Sequence, residues 1–248
     1  MFNLLLVSHG SRDPRPQVAV TALAELLLDQ LPDSHIGTAT LELGSQPLHQ
    51  QIKDFVDHLP NNLPDNSRRS LQVLPLFLLP GTHVMDDIPA EIDLALSLIN
   101  IPCDIHVLPH LGSHGGMFEL LVHQRQVCLD ETSLEVWILL AHGSKYSHAH
   151  QSTKELALQL NAIPAYWAVA PSLETQVEML INQGCKSVGI LPYFLFSGGI
   201  TDAIARKVDN LQEQFPHVKL KLADPLNTTP LLAEMVVAMI SEEFSKQK

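Results

Sequence analysis

The hydrophobic positions of this chain fall into two alternating rhythms, and the alternation runs through the chain twice. Short continuous apolar runs, closed by glycine, proline or a polar residue, read as strands buried on both faces. Longer stretches with apolar residues three and four apart read as helices with one buried face. The first half predicts strands at 2–8, 35–43, 71–79 and 104–108, and helices at 14–31, 48–59, 88–99 and 117–129. Pro14 and Pro47 stand where helices open, and Ala19, Leu23, Leu26 and Leu27 line one face of the first helix. The second half repeats the order, with strands at 136–141, 164–170, 187–192 and 219–223 and helices at 149–161, 173–183, 201–215 and 231–245. Four βα units per half predict an α/β protein of two similar subdomains, each a four-stranded parallel sheet flanked by helices. The polar bridge at 130–135 is the expected junction, giving domains 1–130 and 131–248. Residues 60–70, rich in Asn, Pro and Asp, form a loop peculiar to the first half.

The repeat is also visible residue by residue. The first strand runs into His9-Gly10-Ser11-Arg12, and its echo runs into His142-Gly143-Ser144-Lys145. Leu74-Pro75-Leu76-Phe77 leading to Pro80-Gly81 is answered by Leu191-Pro192-Tyr193-Phe194 leading to Ser197-Gly198. The symmetry then breaks: Thr82-His83 follows in the first half, Gly199-Ile200 in the second. A chemical group in one copy and an aliphatic in the other point to a duplicated fold in which one half kept the chemistry. Domain 1–130 is therefore expected to hold the complete site and 131–248 a degenerate one.

Composition narrows the function. The 248 residues, 46% of them hydrophobic, suit a compact protein with one or two cores. A formal net charge of −12 argues against nucleic acid, whose phosphates need a basic face. The three cysteines form no CxxC and are too few for a disulfide framework, which fits a reducing cytoplasm. No apolar run reaches membrane-span length, so no membrane association is expected.

In open α/β sheets, ligands bind beyond the carboxyl ends of the strands. His9 follows strand 1, Glu42 lies near the end of strand 2 and His83 follows strand 3, so all three fall on one rim. Two imidazoles and a carboxylate suit a first-row divalent ion and can also accept protons. His148 and His150 open the first helix of the second half, and His110 and His114 follow strand 4; all four carry less weight.

At these residues the chain resembles the class II sirohydrochlorin chelatases, in their fused two-domain form. The resemblance rests on His-Gly-Ser-Arg after strand 1, on Leu41-Glu42-Leu43 followed by Pro47, and on Phe77 leading to Gly81-Thr82-His83-Val84-Met85-Asp86-Asp87-Ile88-Pro89. It implies insertion of Fe²⁺ (toward siroheme) or Co²⁺ (toward cobalamin) into sirohydrochlorin without ATP, the metal being substrate and no cofactor being permanently bound. It also implies chelatase-like halves facing each other across a cleft, within a monomer that is an internal pseudo-dimer. His9, Glu42 and His83 take the catalytic roles, with His9 and His83 on the metal. The substrate's many carboxylates need donors gathered at the rim of an acidic protein. The candidates are Ser11, Arg12, Gly81 and Thr82 in the first half, and His142, Ser144, Lys145, Gly198 and Gly199 in the second.

Two other classes remain open. A metal- or tetrapyrrole-binding carrier would hold the same ligands without insertion. A histidine-dependent hydrolase would use the same turn, although the chain has no Gly-x-Ser-x-Gly elbow and no Walker-type loop.

Overall fold

A computed structural model describes residues 2–60, 69–129, 134–144 and 149–246. The element order is β1 (Phe2–Ser8), α1 (Pro14–Gln30), β2 (Ser34–Thr40), α2 (Leu48–Asp57), β3 (Arg69–Pro75), α3 (Ile88–Leu98), β4 (Cys103–Val107) and α4 (Met117–Cys128). It continues as β5 (Val136–Ala141), α5 (Ala149–Gln159), β6 (Ala162–Tyr166), α6 (Leu173–Asn182), β7 (Ser187–Tyr193), α7 (Gly199–Gln214), β8 (Lys219–Leu222) and α8 (Pro230–Lys246). Every predicted strand and helix is present, but three strands differ in extent. β2 stops at Thr40 and β3 at Pro75, so Glu42 and Phe77 belong to loops; β6 spans Ala162–Tyr166. Of the expected junction, 130–133 lies outside the described residues, as does 61–68 of the loop in the first half.

Each sheet is wholly parallel, in the order β2-β1-β3-β4 and β6-β5-β7-β8. The first strand of each half is therefore central. Its consecutive apolar residues face opposite ways, and both faces are dry: Leu4, Leu5, Leu6 and Val7 are all buried. Leu5 and Val7 join Leu71 and Val73 in a cluster with Leu48, Ile52 and Val56 of α2 and Ile88, Ile92 and Ala95 of α3. In the second sheet Ile138, Leu140, Val188 and Ile190 pack likewise with α6 and α7.

Contacts divide the chain into two compact units, residues Met1–His114 with Thr228–Lys248, and Gly115–Asn227. These units cross the sequence boundary at 130/131, because each half gives its last helix to the other half's sheet. α4 sits in the second unit, where the Arg125 guanidinium lies 5.2 Å from the centroid of Trp137 and donates to the Leu160 carbonyl. α8 sits in the first unit, where Phe244 meets Phe2 edge-on at 5.4 Å and Thr228 Oγ1 donates to the Ala19 carbonyl.

Candidate metal and substrate site

The strand order places a topological switch point between β1 and β3, whose outgoing connections lead to helices on opposite faces. His9 leaves β1 there and His83 leaves β3. After β2, the pairing continues past the strand: Leu41 N–H donates to the Ser8 carbonyl and Glu42 N–H to the His9 carbonyl, both at 2.9 Å. This close approach requires Gly10, which has φ +94°; a Cβ there would lie 1.9 Å from the Glu42 carbonyl oxygen.

His9, Glu42 and His83 each bring a ligand atom within 4.8 Å of the others, and they are the one such group of three among the described residues. His9 Nε2 lies 3.9 Å from Glu42 Oε2, and the two imidazoles meet edge to face with centroids 4.8 Å apart. Phe77 stands beside both rings, at 6.3 Å from His9 and 6.0 Å from His83. The second nitrogen of each histidine is already engaged. His9 Nδ1–H donates to the Gly10 carbonyl at 3.1 Å, and His83 Nδ1–H donates to the Asp87 carboxylate at 2.7 Å. Both Nε2 atoms are thereby left with a lone pair for a metal or a proton. The side chains of His9 and Glu42 are about half exposed (51% and 52%), so a large planar molecule has access to them. Few protein ligands and open positions are what a site needs if it is to release its ion. The residues present fit a divalent metal.

The other candidates are placed unevenly. Ser11 Oγ accepts from Asp13 N–H, and Asp13 caps α1 by accepting from Arg15 N–H. The Arg15 guanidinium, hydrogen-bonded to the Asp13 carboxylate, holds that carboxyl below its usual range. The α1 N-terminus thus carries its own anion and is a poor second site for a substrate carboxylate. Arg12, by contrast, is exposed and makes no hydrogen bond or ion pair among the described residues. The Gly81 carbonyl accepts from Val84 and Met85 at the base of the His83 turn, with Thr82 exposed beside it. Gly198 N–H is committed to Thr201 Oγ1, while Gly199 opens α7 at the surface. His110 and His114 stand apart from the cluster; burial pushes the His110 imidazole down, and His114 lies 3.5 Å from Glu242. Lys145 and His148 lie outside the described residues.

The second unit reproduces the scaffold but keeps the counterpart of His9 alone, as His142. Gly143 has φ +81°, His142 Nδ1–H donates to the Gly143 carbonyl, and Ala168 N–H donates to the His142 carbonyl. Ala168 therefore occupies the place of Glu42, as Ile200 occupies that of His83. His150 is engaged otherwise: its Nε2 accepts from Ser144 N–H and its ring stacks on Tyr166 at 4.4 Å. The sequence reading missed the loss of the carboxylate, because Leu41-Glu42 and Trp167-Ala168 share no side-chain likeness and only the backbone register equates them. It also assigned no role to Asp87, whose signal was its place four residues after His83.

A family model described as CbiX matches residues 3–126 and, a second time, residues 136–243. Two proteins of Priestia megaterium are similar along most of the chain. Its sirohydrochlorin cobaltochelatase is 27% identical over 244 residues, covering 94% of this chain and 76% of its own length. Its sirohydrochlorin ferrochelatase is 24% identical over 224 residues, covering 85% and 79%. The solved structure of SirB from Bacillus subtilis with Fe³⁺ superposes with a TM-score of 0.78 at 22% identity, covering 98% of this chain and 95% of that one. That last likeness is one of fold.

Proposed function

The chain belongs to the CbiX family, and from that premise we propose that it is a sirohydrochlorin chelatase, a lyase that inserts Fe²⁺ or Co²⁺ into sirohydrochlorin without ATP. The metal is a substrate and leaves in the product. One observation carries the reading: the His9, Glu42 and His83 cluster, open to solvent at the sheet's switch point and found once among the described residues of a duplicated fold. The names of the two Priestia relatives support the same chemistry, one with each metal. Fe²⁺ and Co²⁺ are neighbours in affinity for nitrogen and oxygen ligands, so this ligand set serves either.

The reaction must bind a divalent ion, bring it to the macrocycle centre and remove both pyrrole N–H protons. His9 and His83 present Nε2 lone pairs that can hold the ion and then accept a proton as it departs. Glu42, beside His9, offsets the ion's charge and offers a second proton acceptor. Phe77 stands beside both rings. Arg12 is the cation we assign to a substrate carboxylate, since it has no competing partner among the described residues; Lys145 holds the same place in the sequence repeat. We read the active species as a single chain carrying both halves.

The carrier alternative makes a different prediction. Purified protein mixed with excess sirohydrochlorin and excess metal under anaerobic conditions should yield metallated product well beyond one equivalent per chain, followed by visible absorption. Product that stops at one equivalent would identify a carrier. A hydrolase using histidine as nucleophile or base gains no support from the similar proteins, whose names are those of chelatases.

A further inference from the structure

The two units differ by one residue at the place where the metal-handling histidine stands. Pro75 pairs with Val7 and Pro192 with Leu140, so the two prolines hold the same position in their sheets. Further on, Ile88, Ile92 and Ala95 of α3 are buried with the same spacing as Ile204, Val208 and Leu211 of α7. A pair of bridges between neighbouring helices fixes the same alignment independently. His49 Nδ1 meets Glu91 at 2.8 Å in the first unit, and Glu174 meets Lys207 at the corresponding positions of the second. Between the proline and the first buried isoleucine, the first unit therefore spends one residue more. The extra residue is absorbed in a π-helical turn, His83–Asp87, closed by Ile88 N–H on the His83 carbonyl. In the second unit α7 runs as a regular helix from Gly199.

The consequence lies at the fourth residue past the histidine position. In the second unit that residue is Ile204, which is buried in the core. In the first unit the wider turn moves the core isoleucine to the fifth place and frees the fourth for Asp87, which accepts from His83 Nδ1–H at 2.7 Å. Single π turns recur at functional sites, and a carboxylate on the far nitrogen of a ligating histidine fixes its tautomer and ring plane. We propose that Asp87 is a positioning residue for metal delivery, and that the one-residue expansion exists to place it behind His83. The inference rests on His83 handling the metal, as argued above.

The test is titration of the full-length protein with Co²⁺, read by the ligand-field absorption of the bound ion, in parallel with KM for the metal. Asp87→Ala should weaken Co²⁺ binding by about 10–100-fold and change the absorption envelope, with KM rising by more than kcat falls. Asp87→Asn, whose amide oxygen still accepts from Nδ1–H, should recover most of the affinity; it also decides the matter if the alanine variant does not fold. Binding by Asp87→Ala within about twofold of the parent, with His83→Ala strongly impaired, would overturn the positioning role alone. Equal loss in Asp87→Asn and Asp87→Ala would overturn it too, because charge or direct ligation would then carry the effect. Undiminished binding by His83→Ala would instead remove the site reading on which the inference stands.

Discussion

At the scale of single residues, the site depends as much on a missing side chain as on those that are present. Gly10 lets the backbone of the His9 turn touch that of Glu42, and a Cβ would collide with a carbonyl that has no freedom to move away. Gly10→Ala should therefore separate His9 from Glu42 and cost about 1–3 kcal/mol in backbone strain alone. The measurements are Co²⁺ affinity and the denaturation midpoint. Full affinity in a protein of unchanged stability would show that the close approach does not matter. His110 makes a separate prediction. Burial pushes its imidazole below the ordinary value of 6.5, so the fold prefers it neutral. Below 6.5 the unfolded chain binds more protons than the folded one. The contribution is thus fully present above that pH and is lost as pH falls toward the depressed folded value. His110→Leu should accordingly narrow the gap in denaturation midpoint between about pH 7.5 and about pH 5. A gap as wide as the parent's would assign the acid sensitivity elsewhere.

At the scale of elements, periodicity made most of the fold legible, and its failures have physical causes. Runs such as 4–7 and 136–141 are apolar without a break because helices cover both faces of their strands. The same rule overran β3: residues Leu76 and Phe77 continue the apolar run past its end, where Leu76 N–H still donates to the Val7 carbonyl at 2.8 Å and Phe77 packs against the core cluster. His9 and His83 could be placed on a rim just past strand ends, and Glu42 near the end of the predicted strand 35–43. The π turn could not be read that way, since one added residue changes no periodicity and shows only when the two units are laid over each other by burial. The exchange of α4 and α8 was equally hidden. Both helices have an apolar face that would suit either sheet, and only the tertiary contacts decide which one receives it.

At the scale of the whole molecule, that exchange binds the two halves of the sequence into one folding problem. The first sheet carries the candidate metal ligands yet draws its last helix from the far end of the chain. A fragment of residues 1–130 would lack α8 and leave the apolar surface of the first unit uncovered near Phe2 and α1. It should unfold at lower denaturant than the intact protein and bind Co²⁺ poorly, even though His9, Glu42 and His83 are all present. Adding a separate peptide of residues 228–248 should recover part of the binding. A fragment as stable and as avid as the full chain would refute that dependence. Net charge acts at this scale too. At −12 the protein repels a polycarboxylate at long range, so the proposed recognition requires a few local donors, for which Arg12, exposed and without a partner among the described residues, is the candidate. No helix among the described residues is long and apolar enough to cross a membrane.

The central claim is that one half of a duplicated fold performs metal insertion with His9, Glu42 and His83, while the other half has lost both the carboxylate and the second histidine. The most direct test is the initial rate of metal insertion into sirohydrochlorin under anaerobic conditions, compared across the parent protein, His9→Ala, His83→Ala and His142→Ala, with a control lacking protein. The account predicts a fall of at least about tenfold for His9→Ala and for His83→Ala, and a smaller effect for His142→Ala. A silent His83→Ala together with a crippling His142→Ala would place the chemistry in the other half and contradict the account.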